Sequence, residues 1–163
     1  MNTASTTLDF NLNLFDMKRF LLALAALFAA LSLAAQNDKA DNILGVYKAG
    51  KGKDAYKVRF EKMTDGTYKA QICWVATNVK EDGTPNVDSK NPDKSLRNTP
   101  MDKVVLISGL KYNKEKQRWD GAKIYDPNRG IRVNVTISFD SPKVLGVRGT
   151  VFGIGETVLW TKE

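Results

Sequence analysis

Two hydrophobic patterns divide the chain. From Phe20 to Leu33 it is a continuous apolar block of fourteen residues, broken only by Ser32. After Gln36 the block gives way to alternation. Tyr56, Val58 and Phe60 are interleaved with Lys57, Arg59 and Glu61, and a period of two puts one set on each face of a strand. Thr64-Asp65-Gly66-Thr67 is a tight-turn sequence. Beyond it Tyr68, Ala70, Ile72 and Trp74 alternate with Lys69, Gln71 and Cys73, so the two runs predict a hairpin. The longest alternation sets Ile131, Val133, Val135, Ile137 and Phe139 against Arg132, Asn134, Thr136, Ser138 and Asp140.

Shorter β patterns cover Ile43–Lys48, Lys103–Tyr112, Arg118–Tyr125, Lys143–Arg148 and Glu156–Lys162, punctuated by turn sequences such as Asp126-Pro127-Asn128-Arg129-Gly130 and Gly153-Ile154-Gly155. Eight strands with short connections predict an all-β domain built as an antiparallel meander. No helical period follows residue 36, and the turns are too short for parallel crossovers. Closing the meander into a β-barrel removes the two edges an open sheet exposes. An open or sandwiched sheet is the alternative, because periodicity does not report closure. The long connection 76–102, with Pro85, Pro92 and Pro100, breaks the pattern. Loops of that length serve as lids or binding loops, with a surface excursion as the competing reading.

The apolar block follows Met17-Lys18-Arg19 and ends at Ala34-Ala35-Gln36. It is shorter than the ~20 residues of a membrane span, and its basic start and small-residue exit are those of a secretory signal peptide. The expected division is an upstream extension over 1–16, a Sec-type signal peptide over 17–35 and a single domain over 36–163. The extension carries Asp9 and Asp16 and no Lys or Arg, the wrong charge for a leader, so translation is expected to start at Met17. No Cys follows the block, which argues against a lipoprotein. The expectation is a periplasmic or secreted protein without a transmembrane segment in its mature form; a buried helix of the domain is the competing reading.

Composition narrows the chemistry. Among 163 residues there is no His and one Cys, which removes imidazole acid–base catalysis, Ser-His-Asp and Cys-His nucleophiles, and any disulfide framework or Cys-cluster metal site. Asp82, Asn86 and Asp88 sketch a calcium loop but lack its Gly and distal Glu, so neither metal nor cofactor is expected. An enzyme is the least favoured class. Segment 1–35 holds two basic and two acidic residues, so the net charge of +7 belongs entirely to the domain. For an exported protein, nucleic acid is not the expected partner; an anionic envelope surface, such as lipid head groups or acidic glycans, is.

Ile43-Leu44-Gly45-Val46-Tyr47, then Asp88 with Asn91-Pro92 and Arg97, then Trp119-Asp120-Gly121-Ala122-Lys123-Ile124-Tyr125-Asp126-Pro127, and finally Leu145-Gly146-Val147-Arg148-Gly149 and Gly155-Glu156-Thr157-Val158-Leu159-Trp160-Thr161-Lys162 occur in order along the domain. In these motifs the chain resembles the bacterial exported family known as domain of unknown function 2147 (DUF2147). The resemblance implies a compact β domain similar to the lipocalin-like barrels, and no assigned activity.

A barrel with an apolar interior suits a small apolar or amphipathic ligand. Trp74, Trp119, Tyr125 and Trp160 are candidates to line its site, Arg148 to contact an anionic head, and Asp88, Asn91 and Arg97 to act in the long loop as a lid. For Trp119 and Trp160 core packing is the stronger reading. Asp126 and Arg129 are better explained by the needs of a turn. The alternative to a carrier is a non-catalytic structural or interaction protein with a solid barrel core and a basic docking face.

Overall fold

The computed structural model describes residues 14–163; the expected upstream extension lies outside them up to residue 13. The chain falls into two units, 1–32 and 33–163. The first contains most of helix α1 (Leu14–Asn37). Its described large apolar side chains are exposed, among them Phe20 at 64% and Leu22 at 71%. No helix among the described residues is long and apolar enough to cross a membrane.

The second unit is a closed antiparallel barrel of eight strands in sequence order: β1 (Gly45–Ala49), β2 (Tyr56–Lys62), β3 (Tyr68–Val75), β4 (Val105–Asn113), β5 (Arg118–Asp126), β6 (Ile131–Ser141), β7 (Val144–Val151) and β8 (Ile154–Lys162). Every connection but one is short, as the turn sequences require. Closure rests on two pairings between the first and last strands, Tyr47 with Lys162 and Lys48 with Thr161. Beyond Ala49 the chain leaves the sheet, so the first half of β8 has a sheet neighbour only in β7.

Bulges reset the inside–outside phase, and two of them decide where the aromatic side chains point. Between β2 and β3, Lys57 pairs with Trp74 but Val58 pairs with Ile72, leaving Cys73 as the extra residue. Tyr68, Ala70 and Ile72 face the core, and Trp74 turns outward, 43% exposed, with the Lys57 ammonium 5.5 Å from its ring centre. Between β5 and β6, Trp119 pairs with Ile137 and Ala122 with Val135. The extra residue falls at Gly121, whose φ of 78° glycine adopts without steric cost. Trp119 and Tyr125, on one face by simple alternation, therefore lie on opposite faces.

One end of the barrel is solid. Trp119, Ile137, Phe139, Leu110 and Tyr47 are almost fully buried there, and Trp119 packs against Phe139 and Tyr112 with ring centres 5.9 and 5.2 Å away. The segment entering β1 plugs this end. The Trp119 indole N–H donates to the Ala40 carbonyl at 3.0 Å, Tyr112 hydroxyl to Asn37 carbonyl at 2.5 Å, and the Phe139 amide to Asn37 Oδ1 at 2.8 Å. Asp41 accepts from the Tyr68 hydroxyl and from Lys62 Nζ at 2.9 Å. Ile43 drops into the core with no exposed surface.

Candidate functional site

The other end of the barrel is hollow. A cavity of about 770 Å³ opens between the β1–β2, β5–β6 and β7–β8 connections. Ile72, Leu106, Ile124, Val147 and Trp160 form its apolar wall, each delivered by the inward phase of its strand. Trp160 sits where solid core meets hollow, within 6.0 Å of Phe60 and 6.3 Å of Tyr56 by ring centres. Its indole nitrogen is buried and makes no hydrogen bond of good geometry among the described residues.

Charge is confined to the mouth. Lys53 and Arg129 line it together with Asp54, Asp126 and Glu156. Glu156 faces inward because it pairs with Gly149, whose missing side chain leaves room: a Cβ there would stand 3.0 Å from Val133 Cγ2. Tyr56 supplies a half-buried hydroxyl at the same end. Burial pushes its pKa up; the neighbouring Trp160 indole acts the other way and the Asp126 carboxylate adds to the rise. Asp126 also holds its own turn, accepting from the Asn128 amide at 2.9 Å, while Arg129 lies 3.6 Å from its second oxygen. The mouth thus offers two cations and three carboxylates, a mixed rim with no anion-selective character.

The long connection is a strap on the outside of the barrel. A small turn in its outgoing arm is closed by the Val79–Pro85 bridge, and the two arms pair at Val87–Pro100. Asp88 and Asn91 are buried beneath it although polar. The Asp88 carboxylate accepts from the Tyr125 hydroxyl and from Asn91 Nδ2, both at 2.7 Å, and Arg97 Nε donates to the Asn91 carbonyl at 2.8 Å. The strap runs so close to the β5–β6 turn that a Cβ on Gly130 would come within 2.3 Å of the Lys90 carbonyl oxygen. Only its base, at Thr77, Asn86 and Met101, reaches the cavity.

Of the residues singled out in the sequence, the structure brings Trp160 to the cavity wall; Tyr125 borders the mouth, but its hydroxyl is turned to Asp88 under the strap. Trp119 lies in the solid end, Trp74 is turned out by the Cys73 bulge, and Arg148 is exposed on the outer face of β7, opposite Thr136 and Thr157. Asp88, Asn91 and Arg97 do not line the cavity; they fasten the strap. Tyr56 and Glu156 were not singled out, although their inward phase was readable once Val58 and Trp160 were assigned to the core, and neither was Val147 of β7.

A profile of the family described as "Uncharacterized protein conserved in bacteria (DUF2147)" matches residues 45–162, from the first residue of β1 to the last of β8. The chain belongs to this family. Comparison of this DUF2147 protein with solved structures finds protein HP1028 of the human pathogen Helicobacter pylori, described as belonging to the lipocalin family. The two share 26% identity over 74% of this chain and 82% of that one, with a TM-score of 0.58. No curated protein matches. The strand order and closure of the DUF2147 barrel are accordingly lipocalin-like, and among its described residues no group of His, Cys, Asp and Glu is arranged to hold a metal ion.

Proposed function

We propose that this DUF2147 protein is an exported, non-catalytic carrier that holds one small apolar or amphipathic ligand in the hollow end of its barrel, within the cell envelope. The observation that carries the reading is the cavity itself. At about 770 Å³ it falls in the ~300–1,000 Å³ range of ligand sites, with the apolar wall and few polar groups such sites have. Eight-stranded barrels either fill their interior or hold one small ligand, as lipocalins do; the solid-core alternative does not account for the hollow half. The mixed rim favours a head group that is uncharged or hydrogen-bonding over an anionic one.

Export is inferred from the leader pattern, and the exposure of Phe20 to Phe28 fits a segment that is no part of the core. Binding is favoured over catalysis by the lack of any His and by a cavity whose charged groups all sit at its mouth. The test is native mass spectrometry of protein isolated from the periplasm of the producing cell, paired with titration by the fluorescent apolar probe N-phenyl-1-naphthylamine. A co-purified small molecule, or saturable probe binding at one site, is expected. A ligand-free mass together with no saturable binding overturns the reading.

A further inference from the structure

The turn joining β7 and β8 breaks the rule its backbone sets. Val151 pairs with Ile154, leaving Phe152-Gly153 as a two-residue hairpin turn with φ of 48° and 83°. Positive φ at both central residues is the requirement of a type I′ turn, which selects Asn-Gly, Asp-Gly or Gly-Gly. A bulky aromatic at positive φ is strained. Phe152 recovers none of that cost by packing, since its side chain is completely exposed. A local rule broken without a compensating contact in the fold points to a use outside the fold.

The surroundings give that use its chemistry. Val151 and Ile154, 47% and 84% exposed, flank Phe152, and both also line the cavity mouth, as does the exposed Ile131 of β6. The apolar tip is therefore continuous with the apolar wall of the cavity. It is a projecting point with no surrounding plane: protein partners need about 800 Å² of matched surface a side, whereas a lipid layer accepts an aromatic or aliphatic wedge without shape matching. Lys53 and Arg129 at the same opening suit the phosphate level of such a layer, and the carboxylates beside them leave insertion, not net charge, as the main attraction.

We infer that the β7–β8 tip inserts into the surface of a lipid bilayer and presents the cavity mouth to it. Docking stands on the geometry of the tip alone. Its consequence, that ligand passes between bilayer and cavity without crossing water, rests on the carrier reading.

The test uses Phe152→Asn and Phe152→Trp with protein isolated from the envelope fraction and vesicles of phosphatidylcholine, with and without phosphatidylglycerol. Asn-Gly is a preferred type I′ pair, so F152N folds at least as stably as the parent while its vesicle affinity falls by roughly tenfold or more, the share of one buried Phe ring. With F152W, the emission added over the parent shifts to the blue on both vesicle types and is quenched by bromine-labelled acyl chains, whatever other segment touches the membrane. Unchanged F152W emission, or equal vesicle affinity of F152N and parent, overturns the inference. So does a fall in sedimenting mass with F152N, which would assign the tip to a second copy of the chain. If docking survives but no ligand or probe binds, the carrier reading alone fails.

Discussion

The Tyr125 hydroxyl donates to the Asp88 carboxylate at 2.7 Å, and with it a residue of β5 grips the centre of a connection that leaves the barrel after β3. Both groups are at most 1% exposed. A buried carboxylate held by two neutral donors is costly to leave short of one. Tyr125→Phe should therefore lower stability by about 1–3 kcal/mol, measured by urea unfolding. Gly130→Ala strikes the same strap from the other side, because its Cβ meets the Lys90 carbonyl at a φ of 69°. Hydrogen exchange should rise over residues 86–100 in both variants and stay unchanged at the solid end; protection retained over 86–100 would count against the strap.

Alkaline solutions should unfold the barrel. Tyr47, Tyr68 and Tyr125 are held neutral above the ordinary tyrosine value of 10.0, in each case first by burial, and for Tyr68 and Tyr125 also by the carboxylate each donates to. Ionisation in the unfolded chain then precedes ionisation in the folded one. The stabilisation is complete below pH 10.0 and is lost as pH rises past it. Urea midpoints should be flat approaching pH 10 and fall steeply above it. Tyr47 adds a contrast: its hydroxyl is buried without a partner among the described residues, so Tyr47→Phe should be neutral or stabilising near pH 7 and should flatten the alkaline fall.

The acid side has the opposite sign. Hydrogen bonds from Tyr68 and then Lys62 hold the Asp41 carboxyl below its ordinary 3.8. Its contribution to the seal of the closed end is present above that pH and is lost as pH falls through the lowered value. An Asp41→Asn variant should show a shallower acid-side loss of stability than the parent, read from the same denaturation series.

Ligand binding should depend on the hollow end only. Val147 is 1% exposed and lines the cavity, so Val147→Trp fills space a ligand needs and should weaken probe binding by tenfold or more while far-ultraviolet circular dichroism is retained. Trp74→Ala and Arg148→Ala, both on the outer face, should leave affinity within about twofold, since contacts away from the cavity add independently. Isothermal titration of the three variants checks the set.

The tryptophans report separately. Trp74 is 43% exposed, whereas Trp119 and Trp160 are at most 1% exposed. Acrylamide should quench one class of emission, and Trp74→Phe should abolish it. Ligand should then perturb the remaining emission in Trp74→Phe/Trp119→Phe, where Trp160 is the sole tryptophan, and not in Trp74→Phe/Trp160→Phe.

Alternation within Tyr56–Glu61 and Ile131–Asp140, and turn sequences such as Asp126-Pro127-Asn128-Arg129-Gly130, were enough to place all eight strands and their antiparallel order. Those signals are local: each strand's period and each turn's φ requirement are written in adjacent residues. The plug of residues 37–43 escaped the same reading, because its short 3₁₀ turn matters only through Trp119, Tyr112 and Phe139, far along the chain.

What the sequence by itself determined, then, is an all-β meander of eight strands behind an apolar leader pattern. Tertiary structure alone decided that β8 returns to β1, that one half of the barrel is hollow, and which aromatics face it. A bulge shifts the phase by one residue, and the partner strand decides where that happens; Gly109 and Gly121 inside strand patterns were the visible hints. The Cys73 bulge left no such mark, so Trp74 pointed inward by alternation and outward in the fold. A cavity is likewise a difference between enclosed space and the side chains that eight strands send into it, a quantity no single strand contains.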